Sequence, residues 1–306
     1  MKDIANKIAP YIHNTPVLQS SSLDDLFGCK LFFKCENFQK TGSFKIRGAS
    51  HAILCLTEKE RKKGVVTHSS GNFAQALSKA AAIQGIPAYI VMPNNAPQVK
   101  VDAVRDFGAE IIRCEPTVEA REKTAKILEE KIGATFIHPS NQISVIQGQG
   151  TAAYELLAAF PEIEVIFCPV GGGGLIAGTA LAAKNHTQPV KVYGGEPEEA
   201  DDASRSLQSG KIESNKTTNT VADGLRTQLG EHNFPIIKEY VEDIITVREE
   251  EIVQAMRLIW QRLKIIIEPS CAVPVAALWQ SRHKFKEKKV GIILSGGNVD
   301  LDKLPF

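Results

Sequence analysis

The chain carries almost no net charge. Lys and Arg number 36 against 35 Asp and Glu across 306 residues, a formal balance of +1. No global field therefore favours nucleic acid or an anionic membrane as a partner. No apolar run approaches the roughly 18 residues that a membrane-spanning helix needs. The N-terminus, MKDIANKIAPYIHNTP, sets polar residues at helical intervals and has no apolar core. No signal peptide is read, and the cytoplasm is the expected location. The six cysteines (Cys29, Cys35, Cys55, Cys114, Cys168 and Cys271) include no C-x-x-C pair, which argues against a zinc site or a redox dithiol. Their scatter over so long a chain argues against a disulfide framework as well. Tandem repeats and low-complexity segments are absent. A local basic run, KFKEKK from Lys284 to Lys289, reads as a solvated helix end or loop before a strand.

What the chain does have is an alternation of short apolar runs with amphipathic stretches. LFFKCE, VVTH, AYIVMP, EIIRCE, TFIHP, VIFCPVG, VKVYGGE, DIITV and KVGIILSGG read as strands. A stretch from Ser43, then NFAQALSKAAAIQG, QVKVDAVRDFG, VEAREKTAKILEEKIG, VIQGQGTAAYELLAAF, LIAGTALAAKNH and EEEIVQAMRLIWQRLK read as helices, several closing on a glycine. Strands alternating with helices of this length predict βαβ units and parallel sheets buried on both faces. The polar stretch SLQSGKIESNKTTNT, 206–220, reads as a surface excursion. The length suits two lobes around a large core.

In open α/β sheets, ligands gather at the carboxyl ends of strands. Three segments fall there: HSSGN (68–72), VGGGG (170–174) and LSGGN (294–298). The glycine run of PVGGGGLIAG ends a strand and opens a helix, an arrangement that suits a phosphate through backbone amides and the helix dipole. No P-loop lysine follows, and the fit to a dinucleotide fingerprint is poor. A tight turn without a ligand is the plain alternative. SSGN also precedes a helix; it suits a carboxylate, or simply a helix N-cap. In TGSFKIRGAS, Lys45 is packaged between Phe44 and small residues, as a lysine used chemically would be. A phosphate cradle, a carboxylate cradle, a hydroxyl at a strand end and a packaged lysine together match the needs of pyridoxal phosphate. A nicotinamide-dependent oxidoreductase would leave Lys45 and SSGN unexplained. A non-catalytic binding protein would use the same crevice without chemistry.

HSSGN, the lysine of GSFKIRGA, VGGGGL and LSGGNVDL together resemble the fold-type II pyridoxal phosphate enzymes, and within them the serine racemase and serine/threonine dehydratase group. The resemblance spans Thr15 to Asp300. It implies an α/β, two-lobed architecture like the tryptophan synthase β chain. Residues 1–57 and 143–306 would form a large cofactor-binding domain and 64–133 a small mobile one. It implies that Lys45 holds the cofactor as a Schiff base and acts on one face of the substrate Cα, with Ser70 on the other. Phe44 would lie beside the ring and Asn72 at its 3-oxygen. Gly171, Gly172, Gly173, Gly174 and Leu175 would hold the phosphate, and Ser295 would face the ring nitrogen. Ser69, Ser70, Gly71 and Asn72 would hold the substrate carboxylate, with Arg121 and Thr227 as further contacts; Arg121 lies on a charged helix where most arginines are solvated. Glu196, the Ala200 carbonyl and Asp202 match the racemase group's divalent metal site, with oxygen donors that suit Mg²⁺ or Ca²⁺; an acidic helix start is the alternative.

The sequence departs from these relatives at Phe73, where histidine is usual, and at Ser140, where the animal racemases have asparagine. Asn298 and Lys264 match their nucleotide-binding surface, but Arg113 replaces an aromatic, so ATP activation is not expected. The chain ends at Phe306 without the regulatory domain of biosynthetic threonine dehydratases, so isoleucine feedback is not expected either. The resemblance implies a homodimer acting on an amino acid. The reaction ranked first is dehydration of L-threonine or L-serine to 2-oxobutanoate or pyruvate and ammonia. Serine racemisation with side dehydration, or hydroxyaspartate dehydration, is the alternative.

Overall fold

Apolar runs without polar alternation become strands covered on both faces. In the computed structural model, which describes residues 1–306 apart from Pro97 and the side chains of Val99 and Val118, β7 (Val165–Pro169) is buried along its whole length. The chain begins with α1 (Lys2–Ile8), β1 (Val17–Leu18), α2 (Ser21–Phe27), β2 (Lys30–Cys35) and α3 (Lys45–Leu54). The next block runs α4 (Glu58–Lys63), β3 (Val65–His68), α5 (Asn72–Ile83), β4 (Ala88–Pro93), α6 (Gln98–Asp106), β5 (Glu110–Cys114), α7 (Val118–Ile132) and β6 (Thr135–Phe136). After it come α8 (Ile143–Ala159), β7, α9 (Gly174–Lys184), β8 (Lys191–Pro197), α10 (Asp202–Ser209) and α11 (Phe234–Tyr240). The last elements are β9 (Asp243–Val247), α12 (Glu249–Leu263), α13 (Pro269–Ser281) and β10 (Lys289–Leu294).

The strands form a six-stranded sheet, β1-β2-β10-β7-β8-β9, and a four-stranded sheet, β5-β4-β3-β6. Among the described residues every pairing between these strands is parallel except β1 with β2. The final strand inserts between β2 and β7, with Leu294 opposite Cys35. Three turns from distant parts of the chain therefore emerge side by side, after Cys35, Leu294 and Pro169. This is the crevice that an order reversal creates in a parallel sheet. From the smaller sheet, β3 and β6 deliver the segments that follow His68 and Phe136. Helix α3 packs against both α5 and α8, and its Ile46, Ala49 and Ile53 share a core with Phe73, Leu77 and Ile90. No helix of the described residues is long and apolar enough to cross a membrane.

Several readings shift. TFIHP is strand only at Thr135 and Phe136. The helix read from Ser43 starts at Lys45, because Ser43 instead bridges Gly296. The excursion read over 206–220 begins inside α10, which runs to Ser209. Helix α13 escapes a periodicity search because it is apolar on all sides and buried from Ser270 to Leu278.

Candidate active site

Lys45 opens α3, and its amine reaches the segment that follows β6. Its Nζ donates to the Pro139 carbonyl at 3.1 Å and lies 5.0 Å and 5.8 Å from the ring centres of Phe44 and Phe73. Burial dominates and lowers the amine to about 8, against the opposing pull of the negative Glu268. The lysine turn is stitched to the last turn of the chain: the Phe44 amide donates to the Ser295 carbonyl at 3.0 Å, and Ser295 itself is buried.

Beside Pro139, Ser140 packs on the glycine turn. A Cβ at Gly172 would lie 2.4 Å from Ser140 Oγ and 3.1 Å from Thr227 Oγ1, and Gly173 holds φ +75°. Only glycine fits that run. The turn is braced from behind by Asn233, which is fully buried; its Nδ2 donates to the Gly172 carbonyl at 2.8 Å and the Ser140 carbonyl at 3.3 Å. Among the described residues no side chain caps the N-terminus of α9, so its first amides stay open to an anion.

The SSGN turn behaves alike. The N-cap of α5 is Gly71, and no side chain among the described residues caps it. The N-cap reading of its serines and asparagine therefore falls away. Ser69 Oγ instead accepts from the Gly71 amide at 3.3 Å. Asn72 Nδ2 donates to both oxygens of Glu268, at 2.9 and 3.1 Å. Asn72 Oδ1 accepts from Asn298 Nδ2 at 2.9 Å, and that amide also reaches the Thr41 carbonyl at 2.7 Å.

Contacts thus link Lys45 through Pro139 and Ser140 to the glycine turn and Thr227, Phe44 to Ser295, and Asn72 to Glu268 and Asn298. Arg121 stands apart: its Nε donates to the Thr117 carbonyl of its own helix at 3.3 Å, although its charge still reaches His68. Glu268, Asn233 and His138 are absent from the sequence-based site. His138 Nδ1 accepts the amides of Ser140 and Asn141 at 3.1 and 2.8 Å. Burial first, then the charges of His68 and Lys45, lower this imidazole to about 4. The one signal for Glu268 was a lone carboxylate ahead of Pro269, at the head of an apolar segment.

Glu196 and Asp202 form a second cluster, both fully buried. Glu196 accepts the Ala203 and Ser204 amides at 3.0 and 2.8 Å. Asp202 Oδ2 accepts the Leu229 amide at 3.0 Å, while Asp202 Oδ1 is buried without a hydrogen-bond partner among the described residues. Burial, then the neighbouring Asp202, pushes the Glu196 carboxyl well up; burial pushes Asp202 up to about 6. Ala200 is buried on the turn between them.

The pyridoxal-phosphate dependent enzyme family matches residues 8–296. The chain belongs to that family. The serine racemase of Dictyostelium discoideum is 50% identical over 308 residues, covering 99% of this chain and 95% of that protein. Its crystal structure superposes with a TM-score of 0.94 over 98% of this chain and 97% of that one. The beta-hydroxyaspartate dehydratase of Paracoccus denitrificans (strain Pd 1222) is 46% identical over 300 residues, 98% of this chain and 95% of that protein. The crystal structure of a threonine deaminase from T.th. is 43% identical with a TM-score of 0.92, covering 98% of this chain and 97% of that one. The protein is therefore a fold-type II pyridoxal phosphate enzyme of the serine racemase and dehydratase group, with the parallel-rich α/β architecture that its motifs imply.

Proposed function

We propose that this enzyme racemises serine and eliminates the β-hydroxyl as an accompanying reaction. The sequence alone ranks dehydration first; a relative that is a serine racemase, 50% identical over 99% of the chain, shifts the weight to racemisation. The observation that carries the reading is the Lys45 amine beside the first turn of α5, two residues after the Ser70 hydroxyl. Racemisation needs a proton removed on one face and delivered on the other. Lys45 takes the α-proton, and Ser70 serves the opposite face.

The residues fit the cofactor in three respects. The amine of Lys45 is brought towards neutral pH, two helix N-termini are left open, and the glycine run leaves no side chain between α9 and an anion. When bound, pyridoxal phosphate supplies the electron sink for the negative charge at the substrate Cα. Lys45 would hold its aldehyde carbon, and the amides of Gly171, Gly172, Gly173, Gly174 and Leu175 its phosphate. Phe44 would flank the ring, Asn72 would hold the 3-oxygen, and Ser295 would meet the ring nitrogen without adding a full charge. The 69–72 turn would bind the substrate carboxylate, aided by Thr227 and, after closure, Arg121. Residues 64–133 would move as a small domain over 1–57 and 143–306, excluding water, within a homodimer. Glu196, the Ala200 carbonyl and Asp202 would bind Mg²⁺ or Ca²⁺; the unpartnered Asp202 Oδ1 supports this.

The test is to incubate the holoenzyme with L-serine and measure D-serine by chiral chromatography alongside pyruvate. D-serine should form, and Ser70→Ala should lose it while keeping pyruvate formation from L-serine. Pyruvate or 2-oxobutanoate without D-serine would return the enzyme to the dehydratases. Faster release of oxaloacetate from 3-hydroxyaspartate would align it with the Paracoccus relative.

A further inference from the structure

Glu268 is a carboxylate in an unusual place. It is only 5% exposed, it heads the buried helix α13, and nothing in the reaction just described uses it. Two features show that the fold is built around it. Its oxygens take both available contacts from Asn72 Nδ2, at 2.9 and 3.1 Å. And a Cβ at Gly296 would lie 2.7 Å from Glu268 Oε1, so the glycine of SGGN leaves the carboxylate its space. The Glu268 amide also donates to the Gly296 carbonyl at 3.1 Å, which fixes the backbone of one against the other.

We propose that Glu268 is a positioning residue of the active site, holding the Asn72 amide in one orientation and setting a negative charge against the turn that carries Lys45. The first half follows from hydrogen-bond chemistry. An amide whose Nδ2 is drawn to a carboxylate and whose Oδ1 accepts from Asn298 has no freedom to flip. The second follows from contact and Coulomb's law: Gly296, which packs against Glu268, bridges Ser43, and the Phe44 amide donates to the Ser295 carbonyl at 3.0 Å, so the carboxylate lies against the turn that opens on Lys45, where one charge acts on another. The charged groups whose fields reach Glu268 are Lys45 of α3, Lys100 of α6 and Asp223 of the turn before Thr227; Cys271 lies on its own helix. Asp223 and Lys100 act on Glu268 in opposite senses and pair with each other at 2.9 Å, and Glu268 is the charge that acts on Lys45. Burial raises the Glu268 carboxyl to about 7, so it is ionised over the range in which Lys45 sheds its proton. The inference rests on Lys45 being the cofactor-bearing lysine, but its physical content concerns the protein without cofactor.

The experiment measures Lys45 directly in the full-length protein freed of cofactor. Acetic anhydride labelling at a series of pH values, with peptide mass mapping, gives the midpoint at which the Lys45 amine becomes nucleophilic. In Glu268→Gln that midpoint should fall by about one pH unit, because the charge favouring the protonated amine is gone. In Glu268→Asp and in Asn72→Ala, which retain a carboxylate, it should stay close to wild type. A cooperative melting transition checks that each variant is folded. If Glu268→Gln does not fold, Gly296→Ala displaces the carboxylate and should move the midpoint in the same direction. A wild-type midpoint in folded Glu268→Gln, or failing that in Gly296→Ala, overturns the proposal. Absence of racemase activity would instead overturn the proposed function and leave this midpoint unaffected.

Discussion

Lys100 Nζ stands 2.9 Å from Asp223 Oδ2, joining a helix beside the four-stranded sheet to the turn that leads to Thr227. The pair is half-exposed, and an ion pair of this kind contributes roughly 0.2–1 kcal/mol to stability. Its position gives it more influence than its energy, since it ties α6 to the turn that leads to Thr227. Lys100→Ala should therefore leave the melting temperature nearly unchanged while raising KM for serine several-fold. High salt should raise KM in the wild type and not in the variant, because the pair is open to screening. Equal KM values in the two proteins would show that the pair has no part in substrate binding.

Arg47 makes the opposite case, a charge with no access to water. Its guanidinium meets Glu36 at 2.6 and 2.8 Å and Glu155 at 2.7 and 2.8 Å. Lys34 reaches Glu155 at 2.7 Å and the Thr15 carbonyl at 2.8 Å. The cluster pins α3, two residues beyond Lys45, to β2 and α8. Arg47→Met should lose about 3–5 kcal/mol, because Glu36 is left buried and unpaired. Arg47→Lys should not recover the loss, since a lysine cannot bind two carboxylates in the same forked geometry. Burial alone would raise the Glu36 carboxyl; Arg47 overrides it and holds it below the usual range. A carboxyl depressed in the fold stabilises above its unfolded value, and that stability is lost as pH falls through the folded value. Urea unfolding at pH 7 and at low pH should show both effects; a loss below about 1 kcal/mol in Arg47→Met would contradict the account.

Glu268 titrates in the other sense. Its carboxyl is raised from 4.5 to about 7, so the folded protein holds a proton that the unfolded chain releases. Its stabilising contribution is complete below the unfolded value and is lost as pH rises through about 7. At about 1.4 kcal/mol per unit, the change amounts to roughly 3 kcal/mol in the protein without cofactor. Glu268→Gln should flatten the decline measured by denaturant unfolding between pH 4.5 and pH 7. An unchanged pH slope would mean that the carboxyl is solvated in solution.

The sequence made the glycine turn, the SSGN turn and Lys45 legible because each combines a local conformational demand with a strand end. It made the family legible because those motifs recur together. The partners that complete the site were not, for a physical reason. Glu268 reaches Asn72 across 196 residues and Asn298 reaches it across 226, and pairings that distant leave no local pattern. Asn233 has no motif at all; its importance comes from two carbonyls that the fold sets before it. Helix α13 hid because a helix buried on every side has no polar face to mark its period.

Asp202, beside Glu196, is tied to the glycine turn through one intermediate segment. Asp202 holds the Leu229 amide, Leu229 packs where a Cβ on Gly173 would fall at 2.6 Å, and Leu225 packs likewise against Gly171 at 2.8 Å. Two buried carboxylates side by side repel, and a divalent cation between them would turn that repulsion into a brace for residues 225–229. Mg²⁺ or Ca²⁺ at a hundredfold excess over its Kd should stabilise by about 2.7 kcal/mol, visible as a rise in melting temperature. If the 171–175 turn holds the cofactor's phosphate as proposed, the cation should also slow the loss of pyridoxal phosphate on dilution, because the same segment backs that turn. Chelation should reverse both effects. Glu196→Gln and Asp202→Asn should each abolish the response to cation. A melting temperature indifferent to millimolar Mg²⁺ and Ca²⁺ would leave the two carboxylates as acceptors for the first amides of α10 and the Leu229 amide, with no cation between them.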